Sequence, residues 1–273
     1  MRFGCSTYSF WHFRGKKEPL VKYLEKIYLH NFDGAEILED HFENTTNSYI
    51  LKIKRYAFSL GLDIFAISIH NDFVNPSERD RKNEVEKVKK WLEIAYKLGA
   101  KAIRINSGRW RTIKSFDELM KQNGVEPPIP GYTDDDALHW VIESIQEILP
   151  FAEEYGVVLA LENHWGITRN AKNIIRIIKY INSDWLRVLM DIGNFTENIY
   201  QQLEEIAPYT VMIHAKTYIG GGEWYTLSLD YDKIFSMIRR YGFQGWVSLE
   251  YEGKRDYDIG VKISKELLSK YIY

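Results

Sequence analysis

The chain has 273 residues, of which 45% are hydrophobic, 15% aromatic and 27% charged, enough apolar side chain for a large core and far from a disordered or fibrous composition. Its formal net charge is −2, with Lys and Arg scattered among Asp and Glu, which speaks against a nucleic-acid surface because phosphate binding needs a basic patch. Cys5 is the only cysteine, excluding an intramolecular disulfide or thiolate cluster, and with neither an apolar leader in MRFGCSTYSF nor any membrane-length apolar run the expected setting is soluble and cytoplasmic.

Residues 1–7 predict an opening strand, and a helix over 18–30 leads to a second strand at 32–39. A helix over 47–60 ends in Leu60-Gly61 ahead of the apolar run 63–70. The next begins at Ser77 after Pro76, covers 77–98 and ends in Leu98-Gly99 ahead of a strand at 101–106. The connection 107–133, with Pro127-Pro128 and Pro130-Gly131, reads as either a lid or a surface excursion. A helix over 134–155, expected to kink at Pro150, ends in Tyr155-Gly156 before a strand at 157–162. Helices at 170–182, 198–207, 230–241 and 260–271 then alternate with strands at 186–191, 210–214 and 246–250. Gly after a large residue supplies the left-handed turn that ends a helix, so the repeated unit is helix, Gly, strand. Short Val/Ile/Leu runs without alternation are typical of strands covered on both faces. Eight such units in a chain near the usual barrel length of about 250 residues predict an α/β fold, a single (β/α)₈ barrel domain spanning 1–273.

The last four strands each end in a side chain able to bind metal: Glu162, Asp191, His214 and Glu250. Barrel strands deliver their C-terminal ends to one mouth, so residues far apart in sequence meet there. Three carboxylates crowded in a low dielectric repel one another unless they take up protons or a cation. One divalent ion, Mn²⁺, Mg²⁺, Co²⁺ or Zn²⁺, resolves that conflict, and oxygen-rich ligation leans toward Mn²⁺ or Mg²⁺.

With Glu162-Asn163-His164-Trp165-Gly166, Met190-Asp191-Ile192-Gly193-Asn194 and His214-Ala215-Lys216, this set resembles the xylose-isomerase-like barrel superfamily of tagatose and psicose 3-epimerases, inosose dehydratases and type-IV AP endonucleases. The resemblance implies that the four residues hold one metal, and that Glu162 and Glu250 flank the substrate carbon and exchange its proton. It implies a small sugar or sugar derivative as substrate, isomerised or epimerised through an enediolate. A dehydratase of an inositol-type ketone is the nearest alternative, and an AP-endonuclease-like phosphodiesterase a more distant one. Where the epimerases place a His three residues after the Asp, this chain has Asn194. Thr168 and Gly220 replace their Glu and Arg, which points away from ketohexose 3-epimerisation. The endonucleases bind three metals, whereas here the fourth strand ends in Ile105-Asn106-Ser107.

Several residues are candidates for substrate contact. His70, ending the third strand, suits a hydroxyl contact or proton transfer, or else caps the next helix. His164 and Lys216 lie two residues past Glu162 and His214, so strand alternation turns them to the same side; Lys216 would stabilise an enediolate oxygen or pair with an acid. Glu36 faces inward for substrate contact or structural pairing. Trp11, Trp165 and Trp224 offer flat faces for sugar C–H groups or act as packing anchors, and Gly220-Gly221-Gly222 suggests a mobile loop. Arg109 and Arg111 in the long loop read as solvated surface arginines or as contacts for a substrate phosphate. Association between copies of the chain is left open.

Overall fold

The computed structural model describes residues 1–273. Its strands are β1 (Arg2–Ser6), β2 (Gly34–Leu38), β3 (Asp63–Ser68), β4 (Ala102–Ile105), β5 (Val158–Glu162), β6 (Leu186–Asp191), β7 (Thr210–Thr217) and β8 (Trp246–Tyr251). All neighbours are parallel in sequence order, and β8 returns to β1 with Trp246 opposite Arg2 and Leu249 opposite Cys5. The sheet is thus a closed (β/α)₈ barrel.

Around it run α1 (Leu20–Leu29), α2 (Asn47–Ser59), α3 (Glu78–Leu98), α4 (Phe116–Lys121), α5 (Asp134–Tyr155), α6 (Ala171–Ile181), α7 (Ile199–Ile206), α8 (Tyr231–Arg240) and α9 (Tyr257–Ile272). The helix-ending glycines Gly61, Gly99, Gly156 and Gly242 all have positive φ, between 63° and 86°, the backbone region that the helix, Gly, strand phrase requires. Several helix starts have side-chain caps: Ser77 accepts from Asp80 N, and Thr133 with Asp136 closes a capping box on α5. No helix is long and apolar enough to cross a membrane.

The helix α5 continues through Pro150 to Tyr155, the extent read from the sequence. Two features depart from that reading. The connection 107–133 contains α4, too short to show periodicity but capped by Ser115. The helix α9 begins at Tyr257 rather than 260, since Asp256 caps it and Gly260 is interior. That glycine is needed for close packing, because a Cβ there would lie 2.1 Å from the Tyr251 ring.

Strand alternation divides the barrel into an outside and an inside. Outward residues such as Ile37, Ile67, Ile103, Leu161 and Val247 join the main core with Val88, Leu92 and Ala95 of α3, helical spacings that put all three on one stripe. Each such Leu or Ile contributes about 1.5–3 kcal/mol on burial. Inside, the N-terminal end is plugged by Phe65, Ala66, Ala102, Ala160, Leu189 and Met212. Phe65 stacks on Trp246 with ring centroids 4.2 Å apart, and Gly4 and Gly34 make room, since a Cβ on either would lie 2.2 Å from Phe65 or 2.8 Å from Trp246. Above this plug the inward positions turn polar: Glu36, Ser68, Arg104, Glu162, Asp191, His214, Lys216, Ser248 and Glu250, all buried. The plug is therefore the floor on which the site stands.

Candidate metal centre and cavity

Glu162, Asp191, His214 and Glu250 converge at the C-terminal mouth, each offering one ligand atom with all four atoms within 4.8 Å of one another. His214 lies at the centre: its Nδ1 is 3.2 Å from Glu162 Oε1, 3.5 Å from Glu250 Oε1 and 3.9 Å from Asp191 Oδ2. The opposite ring nitrogen, Nε2, donates to Glu36 at 2.8 Å and 3.0 Å. That contact assigns Nδ1 as the nitrogen free for a metal, since the partner of one imidazole nitrogen decides the role of the other.

Glu36 was a candidate for substrate contact, and its location corrects that reading. Fully buried, it receives His214, Ser68 Oγ and Ser248 Oγ, the last at 2.6 Å, and it does not line the cavity. A one-residue irregularity between β2 and β3 at Ala35/Glu36 accompanies this placement. Asp191 is held equally firmly. Gly193 N donates to its Oδ1 at 2.7 Å, while the Asn163 amide donates to Asp191 O at 2.8 Å and accepts from Asp191 N at 2.7 Å. Its other oxygen, Oδ2, is buried without a hydrogen-bond partner and faces the quartet.

Charge deepens the argument. Burial lifts the Asp191 carboxyl well above its usual range, Glu250 and Glu162 add to the shift, and Lys216 opposes it. Burial also works against ionised Glu162, but Arg104, His164 and His214 outweigh it and hold that carboxyl well below its ordinary value. For His214 burial is outweighed by Glu36, Glu250 and Glu162, which raise the ring's pKa well above normal. A divalent cation would satisfy this set, meeting the Asp191 oxygen that no hydrogen bond reaches and relieving three crowded carboxylates. The residues present fit such an ion.

The cavity above the quartet has a volume of about 640 Å³, within the range of small-molecule sites. His70, His164, Trp165 and Lys216 line it, as do Glu162 and Glu250. Because β7 continues to Thr217, Lys216 remains in the strand opposite Glu250. Its Nζ donates to Asn194 Oδ1 at 2.7 Å and lies 3.3 Å from Asp191 Oδ2 and 3.6 Å from Glu250 Oε2. His70 Nδ1 lies 3.5 Å from Asp40 Oδ2 at the outer wall. Burial, with Arg104 and Lys216, pushes His164 down to about 3 against the pull of Glu162.

Trp11 is placed elsewhere. The turn Thr7–Phe10 after β1 swings it behind the wall, where it packs on Phe13 and His41 at 4.7 and 5.2 Å; Phe13 and Tyr8 line the cavity in its stead. Trp224 lines it too, and Tyr8 OH accepts from Trp224 Nε1 at 3.4 Å. Arg109 and Arg111 also line it, paired with Glu126 at 2.8 Å and Asp72 at 2.5 Å. Residues not singled out from sequence include Arg104, Asn106, Tyr225 and Glu252. Arg104 Nε lies 3.5 Å from Glu162 Oε2. Asn106, with its amide nitrogen toward Glu162 Oε2 (3.2 Å) and its oxygen toward Arg104 (3.0 Å), joins the two. A single charge inside the apolar run AIRI was the available signal for Arg104.

Fold and quartet together define a (β/α)₈ barrel with a carboxylate–imidazole cluster at its catalytic end. Residues 24–270 match the model of the xylose isomerase-like TIM barrel family, and the chain belongs to that family. An uncharacterized protein of Methanocaldococcus jannaschii is 26% identical over 298 aligned residues, covering 100% of this chain and 89% of that one. Among solved structures, a D-tagatose 3-epimerase-like protein is 22% identical with a TM-score of 0.77, covering 100% of this chain and 97% of its own. D-Psicose 3-epimerase from Clostridium cellulolyticum H10 is 17% identical with a TM-score of 0.80, covering 100% and 99%. These two likenesses carry the fold.

Proposed function

We propose that the protein is a divalent-metal-dependent isomerase or epimerase of a small sugar or sugar derivative. The observation that carries this reading is the pairing of Glu162 and Glu250 around His214 Nδ1, at 3.2 and 3.5 Å, on the floor of a cavity lined by polar and aromatic side chains. Membership of the family and similarity to a D-tagatose 3-epimerase-like protein and a D-psicose 3-epimerase support it.

Glu162, Asp191, His214 and Glu250 would hold the ion, which supplies Lewis acidity to a bound α-hydroxycarbonyl. The two glutamates stand on β5 and β8, three strands apart around the barrel, and their carboxylates meet at His214 Nδ1. One removes the proton on the carbon beside the carbonyl and the other serves the opposite face. Arg104, 3.5 Å from Glu162 Oε2, favours the carboxylate form needed to take a proton. Lys216 supplies a fixed positive charge for the oxygen that becomes enediolate. Return of the proton to the neighbouring carbon isomerises the substrate, and return to the other face of the same carbon epimerises it.

The test is solvent exchange. Manganese-loaded protein in D₂O with a panel of ketopentoses and ketohexoses is expected to place deuterium on the carbon beside the carbonyl of at least one sugar. Chelation should abolish the exchange. No exchange into any sugar, with metal bound, refutes the reading.

A further inference from the structure

The cavity contains a carboxylate that neither the quartet nor the proton transfer uses. Glu252 follows β8, two residues beyond Glu250 on the same inward parity, and lines the cavity while only 5% exposed. Its two oxygens have different fates. Oε1 lies 2.9 Å from Lys216 Nζ and accepts from Tyr8 OH at 3.4 Å. Oε2 is buried with no hydrogen-bond partner. Leaving a buried carboxylate oxygen unmet costs more than a lost neutral hydrogen bond, so an oxygen in that state beside a ligand cavity is set to receive a ligand group.

The surroundings select the group. Lys216 already serves Glu252, Asp191, Glu250 and Asn194. At the outer wall Arg109 pairs with Glu126, Arg111 with Asp72 and Lys87 with Glu39. The cations lining the cavity are thus committed to carboxylates, and the open oxygen is itself acidic, a poor place for phosphate or carboxylate. A hydroxyl, donating to the free oxygen, fits. We infer that Glu252 Oε2 is a specificity-determining acceptor for a hydroxyl on the part of the substrate remote from the reacting carbon, with Tyr8 and Lys216 fixing the carboxylate's orientation. The inference rests on the sugar isomerase or epimerase reading and adds to it how a longer polyhydroxy chain is told from a short one. One ammonium touches both Glu250 and Glu252, so the reacting carbon and the remote hydroxyl fall within a single monosaccharide.

The experiment measures binding, so its failure is separable from failure of the reaction. Manganese-loaded wild type, E252Q and E252A are titrated with D-fructose, D-psicose, D-tagatose and D-sorbose, and with hydroxyacetone, which has the α-hydroxycarbonyl unit but no remote hydroxyls. Quenching of tryptophan fluorescence from Trp165 and Trp224 reports occupancy. Wild type is expected to bind at least one ketohexose more tightly than hydroxyacetone. E252A should weaken that ketohexose roughly 10- to 100-fold, the size of a hydrogen bond to a charged group, with E252Q between the two. Hydroxyacetone and metal affinities should stay within about twofold in both variants. Equal weakening of ketohexose and hydroxyacetone would reveal a merely structural role and overturn the inference. So would an unchanged ketohexose affinity, or a wild type that prefers no ketohexose. Absence of deuterium exchange alongside Glu252-dependent binding would refute the catalytic reading and leave this subsite standing.

Discussion

Replacing Glu36 by Gln changes one oxygen to an amide nitrogen at a position where three donors converge, His214 Nε2 and the hydroxyls of Ser68 and Ser248. Serine hydroxyls can rotate to accept the amide N–H, and the retained carbonyl oxygen can still accept from Nε2, which lies within 3.0 Å of both Glu36 oxygens. A neutral amide nevertheless pulls on that proton less than a carboxylate does, so the ring is held less firmly in the tautomer that leaves Nδ1 free and Nδ1 becomes a weaker donor to the metal. Loss of such an orienting partner typically lowers metal affinity 10- to 100-fold, about 1.4–2.7 kcal/mol. Competition against a chromophoric chelator at neutral pH, with melting temperature checked separately, measures it. S248A, which leaves Glu36 its imidazole and Ser68, should lose less. A folded E36Q protein with undiminished manganese affinity would refute the tautomer argument.

Asp191→Asn should abolish stoichiometric metal, because Oδ2, which no hydrogen bond reaches and whose nearest cation is Lys216 Nζ at 3.3 Å, is where the ion's charge is most needed; metal analysis after gel filtration decides it. Gly124→Ala should push Trp165 toward the cavity, since Gly124 has φ +75° and its Cβ would lie 2.4 Å from that ring. Its expected mark is a raised KM with metal still bound, plus a stability loss of about 1–3 kcal/mol. Burial lowers the pKa of His12 to about 4 and of His41 to about 3, from 6.5. The unfolded chain therefore binds protons first as pH falls. Stability is full above pH 6.5 and declines toward 4, by about 2 kcal/mol for each ring at pH 5, or 1.5 pH units at about 1.36 kcal/mol. Calorimetry across pH 5–8 on the chelated protein should show a smaller slope in H41Q than in wild type.

The barrel was legible because helix-ending glycines and apolar runs repeat along the chain, and parallel strands buried on both faces permit few other patterns. The quartet was legible because strand C-termini always share a mouth, so Glu162, Asp191, His214 and Glu250 needed no knowledge of loops. Loops are where reading from sequence lost its hold. The short turn after β1 sends Trp11 behind the wall and Phe13 into the cavity, a matter of a few backbone angles. Inward parity was right for Glu36, but depth was not: it lies one layer below the ligands, where His214 alone among the quartet reaches it. The same parity marks Arg104 and Glu252, and their partners could not be assigned without the register that brings β4 to β5 and β7 to β8.

The central claim is that Glu162 and Glu250 move protons as well as hold metal, and single Gln variants test it directly. Each keeps an oxygen donor while losing the capacity to take up a proton, and general acid–base catalysis contributes about 10²- to 10⁴-fold. At saturating manganese, with a ketose that wild type turns over, both variants should lose at least that much turnover. A hydrogen label on the reacting carbon should still wash out to solvent in one variant and be retained in the other. Equal, small losses with label exchange intact in both would contradict the claim, leaving the glutamates as metal ligands only.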